Sequence, residues 1–319
     1  MTAWQALSPL KFRRADITAQ GAKRAEVAFT RLETLWFNTG TLCNIECASC
    51  YIESNPKNDR LSYLTLEEAR PFLDEAGALG AGEIGFTGGE PFMNPQMIAL
   101  ADEALGRGFS VLILTNAMRP MMRPKIREGL RALRAEHGDR LTLRVSLDHY
   151  TERLHDEERG DGAFAETLKG LGWLDGEGFR LSIAGRLKCE TTEAAARAGY
   201  ARLFEETGLA VEARDPATLV LFPEMDSRAD TPEITTECWR ILGKSPASVM
   251  CASSRMVVKR KGAPAPAVLA CTLLPYAPAF ELGPTLGEAL EPIKLNHPHC
   301  SKFCVLGGAS CSPHEGEAG

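Results

Sequence analysis

The sequence predicts an α/β protein in which helices cover a parallel sheet. Short apolar segments rich in Leu, Ile, Val and Phe alternate with longer helix-like segments through the middle of the chain. Six such strand–helix repeats favour a parallel sheet, because parallel neighbours need a helical crossover between them. Polar or glycine-bearing segments follow several of these strands, which is where ligands bind in α/β sheets.

The predicted strands are short, apolar and spaced regularly enough to leave room for a helix after each one. We assign them to 34–37, 83–86, 110–114, 141–147, 180–184 and 218–222.

Helix signals fall between these strands. Thr65 with Glu68 three residues later predicts a capping box and a helix start. Pro71 suits the interior of that helix poorly and predicts a kink. Asn94 predicts the N-cap of a second helix, with Pro95 as its first helical residue.

Two further signals complete the helical assignment. Gly106 and Gly108 suit the C-terminal end of the second helix, because glycine accepts the left-handed conformation found there. The segment 191–206 is rich in alanine and other strong helix formers, and predicts a late helix.

The composition and the strand–helix pattern of the chain predict four regions. An N-terminal extension covers 1–30, and the strand–helix repeats fill a core at 31–230. Six of the ten cysteines follow in a second region at 231–311, after an acidic, Pro-bearing linker or loop at 223–236. A small polar tail, 312–319, is expected to lack regular structure.

Composition excludes several classes of function. The chain has 319 residues and a formal net charge of −6, so binding to nucleic-acid phosphates is not expected. The basic run at 259–261 is short and is interpreted as a solvated hairpin turn. No segment approaches the about 20 apolar residues of a membrane span, and the first 14 residues lack the apolar region of a secretory signal. Ten cysteines without such a signal predict metal or redox chemistry in a reducing, cytoplasmic compartment.

The most informative feature is the spacing C-x3-C-x2-C formed by Cys43, Cys47 and Cys50, directly after the first strand. Iron–sulfur clusters are usually held by four thiolates. Three protein ligands leave one iron open, as in catalytic metal sites. The alternatives are buried inert thiols or a zinc site, although no His is available between residues 44 and 90 as a fourth zinc ligand.

A second motif follows the second strand. Gly88, Gly89 and Glu90 lie in the stretch Thr-Gly-Gly-Glu-Pro. Together with the three-cysteine motif, this order resembles the radical S-adenosylmethionine (SAM) superfamily. The resemblance implies a partial barrel of six strands and six helices, a [4Fe–4S] cluster with three Cys ligands, and SAM chelating the open iron. It assigns Glu90 to the amine of SAM, and the two glycines are expected to let the backbone approach the ligand.

One position departs from the superfamily pattern. An aromatic residue usually precedes the third cysteine, but Ser49 stands there and Tyr51 follows instead. The contact that the aromatic makes on the adenine side is therefore not expected from residue 49.

The fourth strand contributes further candidates. Alternation places Ser146 and Asp148 on one face, and the later His-Asp-x-x-Arg-Gly block contains Arg159. The resemblance to members with SPASM or twitch regions implies that Ser146 and Arg159 approach the ribose and carboxylate of SAM. Asp148 and Asn116 are weaker candidates. The alternative for Arg159 is a salt bridge with Asp156 or Glu157, and Arg186 either points inward or packs at the edge of the core.

The C-terminal cysteines predict a second metal site. A Gly-bearing hairpin between Cys251 and Cys271 brings these two residues together. The resemblance to the SPASM and twitch groups implies one auxiliary cluster, [4Fe–4S] in our interpretation, because the irregular spacing does not support two. A zinc site or structural thiols are the alternatives. Cys189 and Cys238 have no partner at metal spacing, and His297 and His299 are interpreted as neighbours rather than ligands. The expected ligands are Cys251, Cys271, Cys300 and Cys304, with Cys311 as a possible replacement.

The resemblance also implies a reaction. Reductive cleavage of SAM gives a 5′-deoxyadenosyl radical, which abstracts hydrogen from a small-molecule substrate with net oxidation or rearrangement. A flavodoxin- or ferredoxin-type protein is the expected electron donor, and no nucleic acid or membrane partner is expected. The alternatives are maturation of a peptide or protein side chain, and a non-catalytic iron–sulfur carrier or scaffold.

Overall fold

The computed structural model describes residues 6–188, 192–224, 226 and 228–309. Within them, nine strands form one sheet in the order β10-β9-β8-β2-β3-β4-β5-β6-β7, and β1 pairs with β11 separately. The strands are β1 Glu26–Val27, β2 Thr34–Asn38, β3 Glu83–Thr87, β4 Ser110–Thr115, β5 Leu141–Ser146, β6 Arg180–Leu187, β7 Leu219–Pro223, β8 Ser254–Val258, β9 Ala267–Leu269, β10 Glu281–Gly283 and β11 Ile293–Lys294.

Helices connect the parallel strands, as the alternating sequence pattern predicts. Two of them, α4 and α5, lie between β5 and β6. The helices are α1 Leu66–Ala78, α2 Met97–Gly106, α3 Pro124–His137, α4 Glu152–Arg159, α5 Ala163–Gly176, α6 Glu193–Thr207 and α7 Cys238–Leu242, and a π-helical segment spans Cys300–Leu306.

Strands β2 to β7 pair in parallel and in chain order. Each begins within one residue of its predicted start, and β6 continues three residues beyond its predicted end, to Leu187. The prediction of an α/β fold with a parallel sheet is confirmed. All the predicted strand ends that carry polar motifs therefore lie at one edge of the sheet, where a shared site can form.

The C-terminal hairpin extends this sheet. Strand β8 pairs in parallel with β2, and β9 pairs antiparallel with β8. The hairpin was expected from the sequence, but its place in the sheet was not. The edge of β2 would otherwise present unpaired backbone groups, so β8 both covers that edge and fixes the cysteine-rich region against the barrel.

Two apolar clusters lie on the two faces of the sheet. Leu35 and Phe37 of β2 pack under the helices, whereas Trp36 packs on the other face with residues of the C-terminal region. Trp36 also explains Gly85 in the neighbouring strand, since a β-carbon there would overlap the indole ring. Alternate residues of one strand therefore join the core and the interior of the barrel.

Part of the segment expected to be a linker or loop, 223–236, packs against the N-terminal extension. Glu233 and Arg24 form an ion pair whose side chains are both almost fully buried. Ile234 accepts a backbone hydrogen bond from Ala25 (2.8 Å) and is itself buried. Residues from the N-terminal extension thus hold this segment in place, a long-range contact that composition does not reveal.

Most of the predicted helix boundaries agree with the structure. Thr65 and Glu68 form both bonds of the capping box, and α1 continues through Pro71. Helix α2 ends at Gly106, with Gly108 at a positive φ of 95°.

The predicted start of α2 at Pro95 is wrong, because the helix begins at Met97. The amide of Asn94 donates instead to the carbonyl oxygens of Thr39 (3.0 Å) and Leu64 (2.8 Å), while its oxygen accepts from the N–H of Gln96 (2.8 Å). Asn94 therefore ties the loops around the sheet edge together. No helix in the described part of the chain has the length and apolar character needed to cross a bilayer.

Candidate functional site

The three-cysteine loop lies directly beside the glycine motif. Gly89 donates its N–H to the carbonyl of Gly40 (2.8 Å), and Glu90 donates to that of Leu42 (3.1 Å). Gly88 has φ +147°, and a β-carbon there would lie 2.5 Å from the Gly40 oxygen. A β-carbon at Gly89 would overlap the carbonyl of Leu42. The glycines are thus required because two backbone segments touch, which fixes the loop that begins at Cys43.

These motifs line one cavity of about 120 Å³ at the C-terminal ends of the strands. The structure therefore brings together most of the residues selected from the sequence. Glu90 and Asp148 are not among the residues that line it. The predicted site residues that do are Cys43, Cys47, Cys50, Gly88, Gly89, Asn116, Ser146 and Arg159.

Burial favours the protonated form of the Cys43 and Cys47 thiols. It raises the pKa of Cys43 to about 12, and the neighbouring Glu90 and thiols add to this effect. Burial also raises the pKa of Cys47, although the guanidinium of Arg159 opposes it. Metal binding at this loop must therefore displace protons. Arg159 supplies positive charge toward the thiolates that result.

Glu90 lies beneath the cavity rather than in its wall. Its carboxylate accepts from the hydroxyl of Thr115 (2.8 Å) and from the N–H groups of Asn116 (2.8 Å) and Phe92 (3.2 Å). Burial raises its pKa to about 7, and these hydrogen bonds oppose the shift. The contact of Glu90 with the amine of SAM stays a prediction. Its observed contacts link the ends of β3 and β4.

Asn116 continues this link toward the cysteine loop. Its side-chain amide donates to the Asn44 oxygen (2.9 Å) and lies 4.0 Å from the sulfur of Cys43. Its own oxygen accepts from the N–H of Met118 (3.0 Å). A chain of hydrogen bonds therefore runs from Glu90 through Asn116 to the residue after Cys43.

Arg159 is fixed by a buried carboxylate, but not by the ones expected from its own helix. Its Nε donates to Asp148 Oδ2 at 2.6 Å, and Nε of Arg186 lies 3.1 Å from Asp148 Oδ1. The two guanidinium groups hold the pKa of Asp148 at about 2, against the effect of burial. The local alternatives do not form, because Asp156 caps the start of α5 and Glu157 pairs with Arg153.

A contact at Ser49 replaces the missing aromatic residue. The backbone N–H of Ser49 donates to Glu158 Oε1 at 2.8 Å, and its hydroxyl donates to the same oxygen. The N–H of Ala48 donates to the carbonyl of Glu158 (2.8 Å), and Lys188 lies 3.5 Å from its other carboxylate oxygen. The third-cysteine segment is therefore attached to α4. Sequence reasoning missed Glu158, whose only signal is a carboxylate one residue before Arg159.

A second cavity, of about 110 Å³, adjoins the first and shares Tyr51, Leu114 and Ser146 with it. Its far wall is apolar, and the sequence did not single out those residues. An open mouth of about 540 Å³, lined by charged side chains of both signs, leads to the cysteine loop. The signal for the far wall is that apolar residues end β7 and begin the segment after Cys271. They are Phe222, Pro223, Leu273 and Phe303.

Four cysteines of the C-terminal region line a separate, apolar cavity. Cys251 and Cys271 lie at the two ends of the predicted hairpin, and Cys300 and Cys304 lie on the π-helical segment. All four are free thiols. Burial raises the pKa of Cys251 to about 11 and that of Cys300 well above its usual value. Four thiols around one cavity suit an iron–sulfur cluster, which is usually held by four cysteines. In the described part of the chain, only Asp102, Glu136 and His137 bring three ligand atoms within 4.8 Å of one another, so the thiols are not gathered around a single ion such as zinc.

The remaining sulfur and imidazole candidates take other places. His299 lines both this cavity and the charged mouth, and the ring of His297 lies 4.7 Å from it. The sulfur of Cys238 accepts from the N–H of Thr235 at 3.4 Å, away from both cavities. Cys189, Cys311 and the 312–319 tail lie outside the described residues.

Comparison with known proteins agrees with this arrangement. Residues 37–185 match the sequence model of the Radical SAM superfamily. The antilisterial bacteriocin subtilosin biosynthesis protein AlbA of Bacillus subtilis is 31% identical over 44% of this chain and 30% of its own length. The AdoMet-dependent heme synthase of Methanosarcina barkeri is 32% identical over 44% of this chain and 38% of its length. The chain thus spans only about a third of the length of each of these curated relatives.

The fold is also found in a solved structure. Streptococcus suis SuiB bound to S-adenosylmethionine superposes with a TM-score of 0.57 at 13% identity, covering 79% of this chain and 63% of that one. The likeness shows the fold, and the predicted partial barrel is confirmed.

An α/β barrel with a three-cysteine loop at the C-terminal ends of its strands defines a class of iron–sulfur protein. The match over residues 37–185 identifies this part of the chain as a radical SAM domain, as the sequence predicted. The match implies a [4Fe–4S] cluster and S-adenosylmethionine as cofactors. The three thiols and the polar side chains that line the same cavity fit both groups.

Proposed function

We propose that this protein is a radical SAM enzyme that abstracts hydrogen from a substrate held between two cysteine sites. One observation carries the proposal: the three cysteines, the glycine pair, Ser146 and Arg159 all line one cavity, which adjoins an apolar second cavity. When bound, the [4Fe–4S] cluster supplies one electron to the SAM sulfonium, which releases methionine and a 5′-deoxyadenosyl radical.

The residues of the chain bind and orient SAM in this proposal. Arg159, held by Asp148, presents its charge to the cavity and binds the SAM carboxylate. Ser146 and Asn116 line the same cavity and contact the polar groups of the nucleoside. The carboxylate of Glu90 is proposed to receive the amine, since it accepts three hydrogen bonds from the chain and a carboxylate has capacity for about four.

We further propose that Cys251, Cys271, Cys300 and Cys304 hold an auxiliary [4Fe–4S] cluster. They line one apolar cavity, and Leu273 contributes to the walls of both this cavity and the apolar substrate cavity. A cluster placed there is positioned to take an electron from a substrate radical, giving a net oxidation. Iron and sulfide must be counted rather than total metal, because a zinc site would contain no sulfide.

The inner cavity and the charged mouth together indicate the class of substrate. The inner cavity is small, and apolar side chains such as Phe222 and Leu273 line it together with the charged groups of Arg144, Asp148, Arg159 and Arg186. The mouth is open and charged. A small molecule with an apolar carbon at the radical and a charged end at the mouth fits both. A peptide side chain reaching the inner cavity is the second candidate, supported by relatives such as AlbA and the mycofactocin maturase MftC of Mycobacterium ulcerans.

The proposal requires an external one-electron donor of the flavodoxin or ferredoxin type, and a reducing compartment such as the cytoplasm. Exposed iron–sulfur sites and free thiols are stable under those conditions.

The test is anaerobic reconstitution of the wild-type protein and of a Cys43/Cys47/Cys50→Ala variant, followed by dithionite and SAM. We expect 5′-deoxyadenosine from the wild type alone, and about half of the wild-type iron and sulfide in the variant. Cys238→Ala is the matched control, since its thiol lies outside both cavities, and should behave as wild type. No 5′-deoxyadenosine from the wild type would exclude the catalytic proposal. Complete loss of iron from the triple variant would exclude the auxiliary cluster.

A further inference from the structure

Two arginines are almost completely buried in this protein, and they differ in their partners. Arg24 and Arg255 are each 1% exposed. Arg24 forms an ion pair with Glu233. Across 6–188, 192–224, 226 and 228–309, by contrast, no carboxylate lies within ion-pair distance of Arg255. Burying a charge without a counter-charge is costly, so the two sites pose different electrostatic problems.

The guanidinium of Arg255 is surrounded by neutral groups. Its Nε donates to the carbonyl of Ala289 (2.6 Å), and its Nη1 donates to the carbonyls of Cys251 (2.6 Å) and Ser254 (2.7 Å). It lies over the ring of Phe29, 4.5 Å from the centroid. Its Nη2 is buried and has no hydrogen-bond partner. These contacts fix the position of the Arg255 guanidinium but do not balance its positive charge.

Arg255 lies next to the C-terminal cysteine cavity. Its Nη1 donates to the carbonyl of Cys251, which lines that cavity with Cys271, Cys300 and Cys304. Metal binding converts these cysteines to thiolates, so it brings negative charge to the residue that Arg255 contacts.

We propose that Arg255 is the buried counter-charge of the auxiliary cluster, and that it holds the Cys251 ligand and raises the reduction potential of that cluster. The inference rests on the auxiliary cluster proposed above. A nearby fixed cation stabilises the more negative, reduced state, and net charge and hydrogen bonding are among the factors that set these potentials. Arg255 is thus a positioning residue that favours electron transfer into this cluster.

The experiment uses the Cys43/Cys47/Cys50→Ala background, so that only the C-terminal site can hold a cluster. After reconstitution, iron and sulfide are counted and the midpoint potential is measured by an EPR-monitored titration. Arg255→Gln and Arg255→Met remove the charge, and Arg255→Lys keeps it. Arg24→Met is the matched control, since it removes the other buried arginine, whose partner is Glu233.

We expect the two neutral variants to shift the potential to more negative values, while Arg255→Lys and Arg24→Met stay near the reference. Failure of only the neutral variants to load iron would also support a requirement for charge. Loaded neutral variants with an unchanged potential would overturn the inference while leaving the cluster in place. So would equal loss of iron from the Gln, Met and Lys variants. A reference protein without any cluster would end both proposals together.

Discussion

The two cysteine sites of this protein have opposite surroundings. The N-terminal site has three cysteines, and polar or charged groups such as Asn116, Ser146 and Arg159 share its cavity. The C-terminal site has four cysteines, and its cavity is lined by aliphatic and aromatic side chains such as Leu273 and Phe280. One site is equipped to receive a charged ligand, and the other can satisfy a metal with the protein alone.

This difference suggests that the N-terminal site carries out the chemistry and the C-terminal site stores electrons. An open metal position is useful only where a ligand can reach it, and the first cavity adjoins both the inner cavity and the charged mouth. A closed thiolate set in an apolar enclosure excludes water and limits exchange. The comparison therefore predicts that the two sites can be removed one at a time.

The largest expected effect comes from emptying the C-terminal site. In a Cys251/Cys271/Cys300/Cys304→Ala variant, we expect about half of the iron to be lost, while SAM is still cleaved to 5′-deoxyadenosine after reduction. The N-terminal site contains every residue that we assign to SAM, so it should work alone. Iron and sulfide analysis with a 5′-deoxyadenosine assay checks this. Loss of cleavage in a folded variant that keeps its N-terminal cluster would break the comparison.

The next effect concerns the charge that distinguishes the N-terminal cavity. Arg159→Met leaves Asp148 buried beside Arg186 alone, and we expect the free energy of unfolding to fall by about 3–5 kcal/mol. Urea unfolding of the unloaded protein measures it.

Arg153→Met is the control for this change, because Arg153 lies on the same helix but forms an exposed pair with Glu157. It should change the free energy of unfolding by at most about 1 kcal/mol. Equal effects of the two substitutions would show that the buried pair of Arg159 with Asp148 stabilises the protein no more than an exposed pair does.

The sequence was sufficient to predict the six parallel strands β2 to β7 and the cysteines that line each of the two cavities. Most of these strands are apolar runs, as expected for parallel strands buried on both faces, whereas β5 alternates apolar and polar residues. The hairpin predicts that Cys251 and Cys271 meet. The sequence could not predict which side chains and strands pair when they are far apart in the chain. Arg159 had nearer acidic residues than Asp148, and nothing local indicates that β8 pairs with β2.

The contacts of Glu90 show the same limit. The motif identified the residue, but it did not indicate that the carboxylate accepts hydrogen bonds from Thr115 and Asn116. Such orientations are decided by competing hydrogen bonds that sequence spacing does not encode.

Glu90 also provides a pH test of how closed the base of the N-terminal site is. Its pKa rises from the usual 4.5 to about 7 on folding, so the folded protein binds the proton more tightly than the unfolded chain. Stability from this group is complete below about pH 4.5 and is lost as the pH rises to about 7, by up to about 3 kcal/mol. Glu90→Gln should lack this loss.

The measurement is the free energy of unfolding of the unloaded wild type and variant across that range. Their difference isolates Glu90, because groups such as His155, whose pKa is lowered to about 4, act equally in both proteins. A difference that does not change with pH would mean that water reaches the carboxylate and that the site is open at its base.

The smallest effect sharpens the comparison at one residue. At the N-terminal site, Ser49 attaches the third-cysteine segment to Glu158. Ser49→Ala removes one hydroxyl hydrogen bond but leaves the backbone N–H of residue 49 and Lys188 in contact with Glu158, so we expect the free energy of unfolding to fall by about 1 kcal/mol.

The measurement is chelator-driven release of iron from the fully loaded protein. Only the phase from the N-terminal site should become faster, by several-fold. Glu157→Gln on the same helix, in an exposed pair with Arg153, should change neither phase. If both phases accelerated together, the two sites would share one opening motion, and their separation in structure would not extend to their dynamics.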